Sequence, residues 1–282
     1  MSLLITTRAD AVCANWVELT HPIIRKYADK VGADFMVLDE SVDCKEAVGG
    51  IGNGVYQYRI MKHYDLHEVY DRILHLDTDM LLTPDCPNLF EEVPYDHIGS
   101  IYEDKGSREG QRIQCMLNAQ AQYGDIGWRK NYINTGVFVT SAMHRDIYQK
   151  INGEYFVDWG TDDIHIGYLI NKLGYKVKEL SYHYNHMTMY SEPWNNSPDR
   201  FDSHIIHYAG QGIFDPGAND KLENLAGSYS LGRDIFVPCP EILNKQQLSP
   251  DPAPSQSTKI FVTNFMSIHQ MVVSLIHFLC TG

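Results

Sequence analysis

The sequence predicts an α/β protein with a central sheet flanked by helices, and three observations predict it. The chain opens as strand, helix and strand; further apolar runs of strand length alternate with segments of helical periodicity; and 282 residues with 44% hydrophobic content suffice for one large core. A β-α-β opening builds parallel strands, and ligands of such sheets sit beyond the strands' carboxyl ends.

Leu3-Leu4-Ile5-Thr6-Thr7 reads as a short buried strand. From Val12 to Val31, apolar residues recur at helical spacing (Trp16, Leu19, Ile23, Ile24, Tyr27), with Pro22 as a candidate kink and Gly32 as the stop. Residues 34–39 form the second strand. Gly49-Gly50-Ile51-Gly52-Asn53-Gly54 lacks the spacing of a dinucleotide fingerprint or a P-loop, so it reads as a flexible connection into a helix over 55–67. Residues 72–82 read as one buried strand, closed by Thr83-Pro84-Asp85-Cys86-Pro87.

Residues 97–102 are a further strand, whereas 103–127 is polar and Gln-rich and reads as a loop, over a site or on the surface. The apolar run 131–141 is a strand leading to a helix near 144–151. Thr161 is placed as the N-cap of a helix reaching Leu173. Residues 175–180 and 203–212 complete the strand set, the last ending in a glycine-bearing loop. One domain is expected over 1–245. Residues 246–258, with Pro250, Pro252 and Pro254 among Ser, Gln and Asp, have linker composition, and 259–282 is a tail or the start of an incomplete second domain.

A formal charge of -13 argues against a general nucleic-acid or anionic-membrane binder. Cys13, Cys44, Cys86, Cys115, Cys239 and Cys280 are dispersed, without Cys-x-x-Cys or zinc spacing, and read as reduced thiols. The N-terminus has no basic segment followed by a long apolar core, so a cytoplasmic location is expected. The apolar tract 260–279 is interrupted by Asn264, His269, Gln270 and His277, and no membrane span is expected there.

The chemistry concentrates at Leu76-Asp77-Thr78-Asp79-Met80. In an extended backbone, side chains two apart share a side, so Asp77 and Asp79 converge at the strand's end. Two convergent carboxylates need a counter-charge, and a hard divalent cation such as Mn2+ or Mg2+, shared with a phosphate, suits them. His207 ends another apolar run. Asp162 and Asp163 open a helix, where capping and dipole stabilisation alone are expected to account for one of the two.

Four segments, in this order and spacing, resemble nucleotide-sugar glycosyltransferases, most of all glycosyltransferase family 8, the glycogenin and lipopolysaccharide galactosyltransferase type: Tyr58-Arg59, Leu76-Asp77-Thr78-Asp79-Met80-Leu81, Asn134-Thr135-Gly136-Val137, and Ile206-His207-Tyr208-Ala209-Gly210. The resemblance spans roughly residues 3–215. It implies a single GT-A (Rossmann-like) domain with a mixed, mostly parallel central sheet. It also implies a Mn2+ (or Mg2+) site of Asp77, Asp79 and His207, and a nucleoside diphosphate sugar donor, UDP-sugar favoured, held by Thr6, Thr7, Arg8, Arg59, Asp77, Thr78, Asn134, Gly136 and Gly210. Asp162 and Asp163 fall where the family has an Asp-Gln pair facing the transferred sugar.

The chain departs from that family twice: the late motif does not continue to Lys-Pro-Trp, and Asp163 stands where Gln is usual. Both departures leave donor identity and stereochemistry open. The implied activity is transfer of a hexose to a glycan or other hydroxyl acceptor. If configuration inverts, Asp162 or Asp163 is the candidate base; if it is retained, they orient the sugar. The alternatives are a sugar nucleotidyltransferase, whose glycine-rich signature after the first strand is missing here, and a non-catalytic nucleotide- or sugar-binding module.

Overall fold

The computed structural model describes residues 1–9, 14–39, 56–188, 194–196 and 198–209. Among these, the opening β-α-β unit is β1 (Leu3–Arg8), α1 (Ala14–Val31) and β2 (Asp34–Leu38). After a 3-10 segment (Tyr56–Lys62) come α2 (His63–Leu66), β3 (Arg72–Leu76), β4 (Met80–Leu82) and α3 (Leu89–Glu92). Next are β5 (His97–Tyr102), α4 (Glu109–Tyr123), β6 (Ile133–Ser141), α5 (Thr161–Leu173), β7 (Lys176–Glu179), β8 (His186–Met187) and β9 (Ile205–His207).

The main sheet runs β2-β1-β3-β6-β5-β7, parallel throughout except at β6, which is antiparallel to both neighbours. It is therefore mixed and mostly parallel, as expected. Every residue of β3 and of β6 is buried, as two central strands covered on both faces require. The reversal of β6 has a local consequence. Its first residues lie at the carboxyl ends of β3 and β5, with Val137 opposite Leu76 and Asn134 opposite Ile101.

Four local expectations differ from the fold. Residues 72–82 are two strands in two sheets: β3 belongs to the main sheet, whereas β4 pairs with β9 in a small sheet ordered β4-β9-β8. The apolar runs on either side of Asp77-Thr78-Asp79 are so similar that composition alone merges them. Much of 103–127 is helix, because α4 buries Arg112, Cys115, Met116, Ala119 and Gln120 on one face. Two polar residues in that stripe hide its amphipathic period. The segments near 56–62 and 142–148 are 3-10 turns, not α-helix. Finally, the cap of α5 is Gly160 at φ 96°, and Thr161 is the first helical residue at φ 37°.

At Gly160 the backbone demands glycine twice over. Its φ lies in the left-handed region, and a Cβ would sit 2.6 Å from Ile164 Cγ1 and 2.8 Å from the Tyr132 hydroxyl. The cap thus brings the start of α5 hard against Tyr132, next to β6, which aims Asp162 and Asp163 at the carboxyl end of the sheet. Cys86 and Cys115 are buried free thiols, in keeping with the reduced reading. Gly49 to Gly54, the linker over 246–258 and the segment 259–282 lie outside the described residues.

Candidate active site

Asp77 leaves the main sheet as β3 ends, and three neighbours hold the turn that follows. The Asp77 N–H donates to the Gly136 carbonyl at 2.9 Å, the Thr78 hydroxyl donates to the Arg8 carbonyl, and the Tyr208 N–H donates to the Asp79 carbonyl at 3.0 Å. Asp77 and Asp79 therefore converge through a pinned turn, not through the two-residue alternation of one strand. The antiparallel pairing of β4 with β9 sets Met80 opposite His207. That register brings the imidazole to the carboxylates.

His207 Nε2 lies 3.3 Å from Asp79 Oδ1 and 3.7 Å from Asp77 Oδ2, and one ligand atom from each of the three residues fits within 4.8 Å of the others. Two carboxylates and an imidazole are a donor set that suits Mn2+ and tolerates Mg2+. His207 Nδ1 lies 2.8 Å from Asn185 Oδ1, an outer partner of the kind that orients metal-binding histidines. Backbone is pressed against the group as well. A Cβ on Gly136 would lie 2.7 Å from His207 Cε1, 2.9 Å from Asn134 Oδ1 and 3.0 Å from Asp77 Oδ2. Together these features fit a divalent cation at Asp77, Asp79 and His207.

Arg8, at the end of β1, supplies positive charge beside them. Its Nη2 is 2.9 Å from Asp77 Oδ1, and its Nη1 is 2.7 Å from Asp162 Oδ2 and 2.6 Å from the Gln57 carbonyl oxygen. Burial works against the guanidinium, but Asp162 and Asp77 outweigh it and hold its pKa well above the usual value. Burial likewise opposes ionisation of Asp77, and Arg8, His75 and His207 outweigh it, so this carboxyl titrates well below the usual range.

Asp162 is the most heavily committed of the acids. Its Oδ2 also accepts from the Thr135 hydroxyl at 2.9 Å, and its Oδ1 accepts from the Thr161 hydroxyl at 2.9 Å. Asp163 Oδ1 accepts from the Thr135 N–H at 2.8 Å and lies 2.7 Å from the Thr135 hydroxyl oxygen, whose single proton it shares with Asp162. Burial, then the charges of Asp162 and Glu103, push the Asp163 pKa well above the carboxylate range, against the pull of Arg112 and of the Thr135 bond.

Thr6 and Thr7 are buried with their hydroxyls turned to the protein: Thr6 Oγ1 sits 2.8 Å from His63 Nε2 and 3.0 Å from His75 Nδ1, and Thr7 Oγ1 sits 3.2 Å from Thr78 Oγ1. Arg59 bonds to the Ala9 carbonyl and lies over the Tyr56 ring, 5.6 Å from its centroid. The group paired with Asp77 is thus Arg8. Gly210 lies outside the described residues. Thr135 and Asn185 escaped sequence reasoning; Thr135 sits inside a matched segment, but no local signal marks Asn185.

No family model and no curated protein sequence matches the chain. Among solved structures, the chain is similar to the apo form of the bifunctional glycosyltransferase WbbM at 15% identity and a TM-score of 0.52, over 88% of this chain and 52% of that one. The chain thus spans about half of WbbM. It is also similar to a glycosyltransferase involved in glycosylation of the major capsid of PBCV-1, at 12% identity and TM-score 0.47, over 74% of this chain and 96% of the other. A third similarity is to the galactosyltransferase LgtC in complex with donor and acceptor sugar analogs, at 16% identity and TM-score 0.46, over 80% and 95% respectively. Identities this low speak to architecture only, and the WbbM superposition, with the sheet order above, shows that this chain has the GT-A fold.

Proposed function

We propose that the protein is a metal-dependent glycosyltransferase that moves a hexose from a nucleoside diphosphate sugar, UDP-sugar favoured, to a glycan or other hydroxyl acceptor. One observation carries this reading: Asp77, Asp79 and His207 converge at the carboxyl end of a central strand of a GT-A sheet. Departure of a nucleoside diphosphate from an anomeric carbon develops negative charge on the diphosphate, and Mn2+ or Mg2+ held by these residues supplies Lewis-acid stabilisation.

The remaining roles belong to side chains around that group. Thr6, Thr7, Arg8 and Thr78 form the end of β1 and the turn against it, where the nucleoside is expected; the buried hydroxyls leave main-chain groups and neighbouring side chains to make that contact. Arg59 adds a nearby positive charge on the same end of the sheet. Asn134 and Gly136 bring backbone close to the carboxylates and line the sugar position. Asp162 accepts bonds from Arg8, Thr135 and Thr161, which suits an orienting acid better than a free base. Asp163, held protonated more readily than an ordinary carboxyl, suits a hydrogen-bond donor to a sugar hydroxyl.

Incubation with labelled UDP-, GDP- and dTDP-sugars plus Mn2+ tests the reading. Release of the free nucleoside diphosphate, lost in Asp79→Ala, supports transfer; unchanged release in that variant sinks the metal assignment. Pyrophosphate made from a nucleoside triphosphate and a sugar phosphate would identify a nucleotidyltransferase, and binding without turnover a non-catalytic module.

A further inference from the structure

A line of buried polar side chains joins α4 to the imidazole of His207. Arg112, on α4, donates to Glu103 Oε2; Glu103 Oε1 accepts from Asn134 Nδ2 at 2.7 Å; Asn134 Oδ1 accepts from Asn185 Nδ2 at 2.8 Å; and Asn185 Oδ1 faces His207 Nδ1 at 2.8 Å. These five residues are at most 9% exposed, so their polar groups are satisfied within the protein.

We propose that Glu103, anchored by Arg112, is a positioning residue that sets the tautomer of His207 through the two asparagines. The polarity of the line has one solution. A carboxylate paired with Arg112 can only accept, so Asn134 must present its NH2 to Glu103 and its oxygen to Asn185. The Gly136 N–H, which donates to the same Asn134 oxygen at 3.0 Å, demands the same orientation. Asn185 must then give its NH2 to Asn134 and its oxygen to the imidazole. His207 consequently carries a proton on Nδ1, which leaves Nε2, the atom 3.3 Å from Asp79 Oδ1, as the nitrogen that can present a lone pair to a cation.

The opposite tautomer would set a lone pair against the Asn185 oxygen inside a buried cluster, where a mismatched pair is costly. An imidazole can ligate a cation only through an unprotonated nitrogen, so the line prepares His207 for that role. This rests on the metal reading above. The assignment of the tautomer itself does not.

Glu103→Gln is the discriminating variant because it keeps the shape and removes the acceptor-only character. The amide must turn its oxygen to Arg112 and its NH2 to Asn134, which reverses the line at the cost of the Gly136 N–H bond to Asn134 Oδ1. In 15N-histidine-labelled full-length protein, the His207 resonances, identified by their loss in His207→Gln, should show a proton on Nδ1; Glu103→Gln should move it to Nε2. Mn2+ affinity, measured by titration calorimetry, should fall about ten- to a hundredfold.

In an Asn185→Ala background the line is cut, and Glu103→Gln should then change Mn2+ affinity less than about twofold, as uncoupled sites do. Wild-type His207 protonated on Nε2 overturns the proposal without any variant. If Asp79→Ala abolishes Mn2+ binding while Glu103→Gln changes neither tautomer nor affinity, the line fails and the metal reading survives. If Mn2+ binding survives Asp79→Ala, the metal reading fails, and the tautomer in Glu103→Gln still decides the line.

Discussion

Arg8 and Asp162 lie 154 positions apart in sequence, yet their side chains are 2.7 Å apart, and the same guanidinium reaches Asp77 at 2.9 Å. One buried cation therefore ties the first strand, the acidic turn and the start of α5 together. Its planar fork reaches both carboxylates and the Gln57 carbonyl in one fixed geometry, which a compact ammonium does not reproduce.

Arg8→Met should leave Asp77 and Asp162 buried without their shared counter-charge, at a cost of about 3–5 kcal/mol by the usual penalty for breaking a buried pair. Arg8→Lys should recover only part of that. The pH dependence follows from Asp77, whose folded-state pKa is depressed with Arg8 among the causes. Its stabilising contribution is present above the ordinary carboxylate pKa of about 4 and is lost as pH falls further. Wild type and Arg8→Met should thus converge in Tm as the pH is lowered, which calorimetry at several pH values will check. A Tm gap that stays constant down to acid pH would count against the Arg8–Asp77 coupling.

Gly136→Ala should damage the site more than the fold. The added methyl would lie 2.7 Å from His207 Cε1 and 3.0 Å from Asp77 Oδ2, inside normal contact on both sides. Overpacking of this kind costs about 1–3 kcal/mol, and here the neighbours that must move are the proposed ligands. Metal-dependent stabilisation by a nucleoside diphosphate should be largely lost in a thermal-shift assay, while the variant still folds. Full retention of that stabilisation would show that Asp77 and His207 need not keep their spacing.

What the sequence made readable, and what it hid, divides along the range of the interactions. β1, β2, β5 and α5 follow from local runs and periodicity, and the bounds of 97–102 and the end of α5 at Leu173 agree with the structure. Asp77 and Asp79 could be paired from their place between two apolar runs, whereas His207 joined them through the family resemblance. Where polar groups are buried by distant partners, pattern reading failed: Arg112 and Gln120 face inward on α4 because Glu103 and the loop at Trp128 satisfy them. Asn185 sits in a 3-10 turn end with no regular period, and Arg8 looks like any cation after a strand. The site partners of Asn185 and Arg8 named here are more than twenty residues away in sequence.

Asp163→Asn should raise stability at neutral pH. The raised folded-state pKa of Asp163, caused by burial and by Asp162 and Glu103, means that the folded state holds this proton more tightly than the unfolded chain does. Stability from this group is complete below the unfolded carboxylate pKa and is lost as pH rises towards and through the folded value. An amide keeps an oxygen for the two Thr135 donors and carries no charge, so it removes that loss. The variant's Tm should exceed wild type at pH 7 and approach it in acid. Transfer activity should persist if Asp163 acts as a donor and disappear if it acts as the base, which separates the two roles left open by the sequence.

His165 predicts a fall in stability on mild acidification. It is fully buried in α5, its Nδ1 accepts from the Phe156 N–H at 3.2 Å, and its Nε2 is 2.8 Å from the Gln149 carbonyl, to which it donates. Both nitrogens are satisfied only in the neutral ring with the proton on Nε2. Burial, opposed by the Gln149 bond, lowers its pKa to about 4. The unfolded chain binds the proton from about pH 6.5 downward and the folded one does not until about 4, so stability declines across that window, by at most about 3 kcal/mol. His67 and His144, also buried and lowered to about 4, add to the same slope. His165→Gln should lower Tm at pH 7 through imperfect replacement of the two bonds, yet flatten the decline between pH 6.5 and 4. A variant with the wild-type slope would place the acid sensitivity in the other histidines.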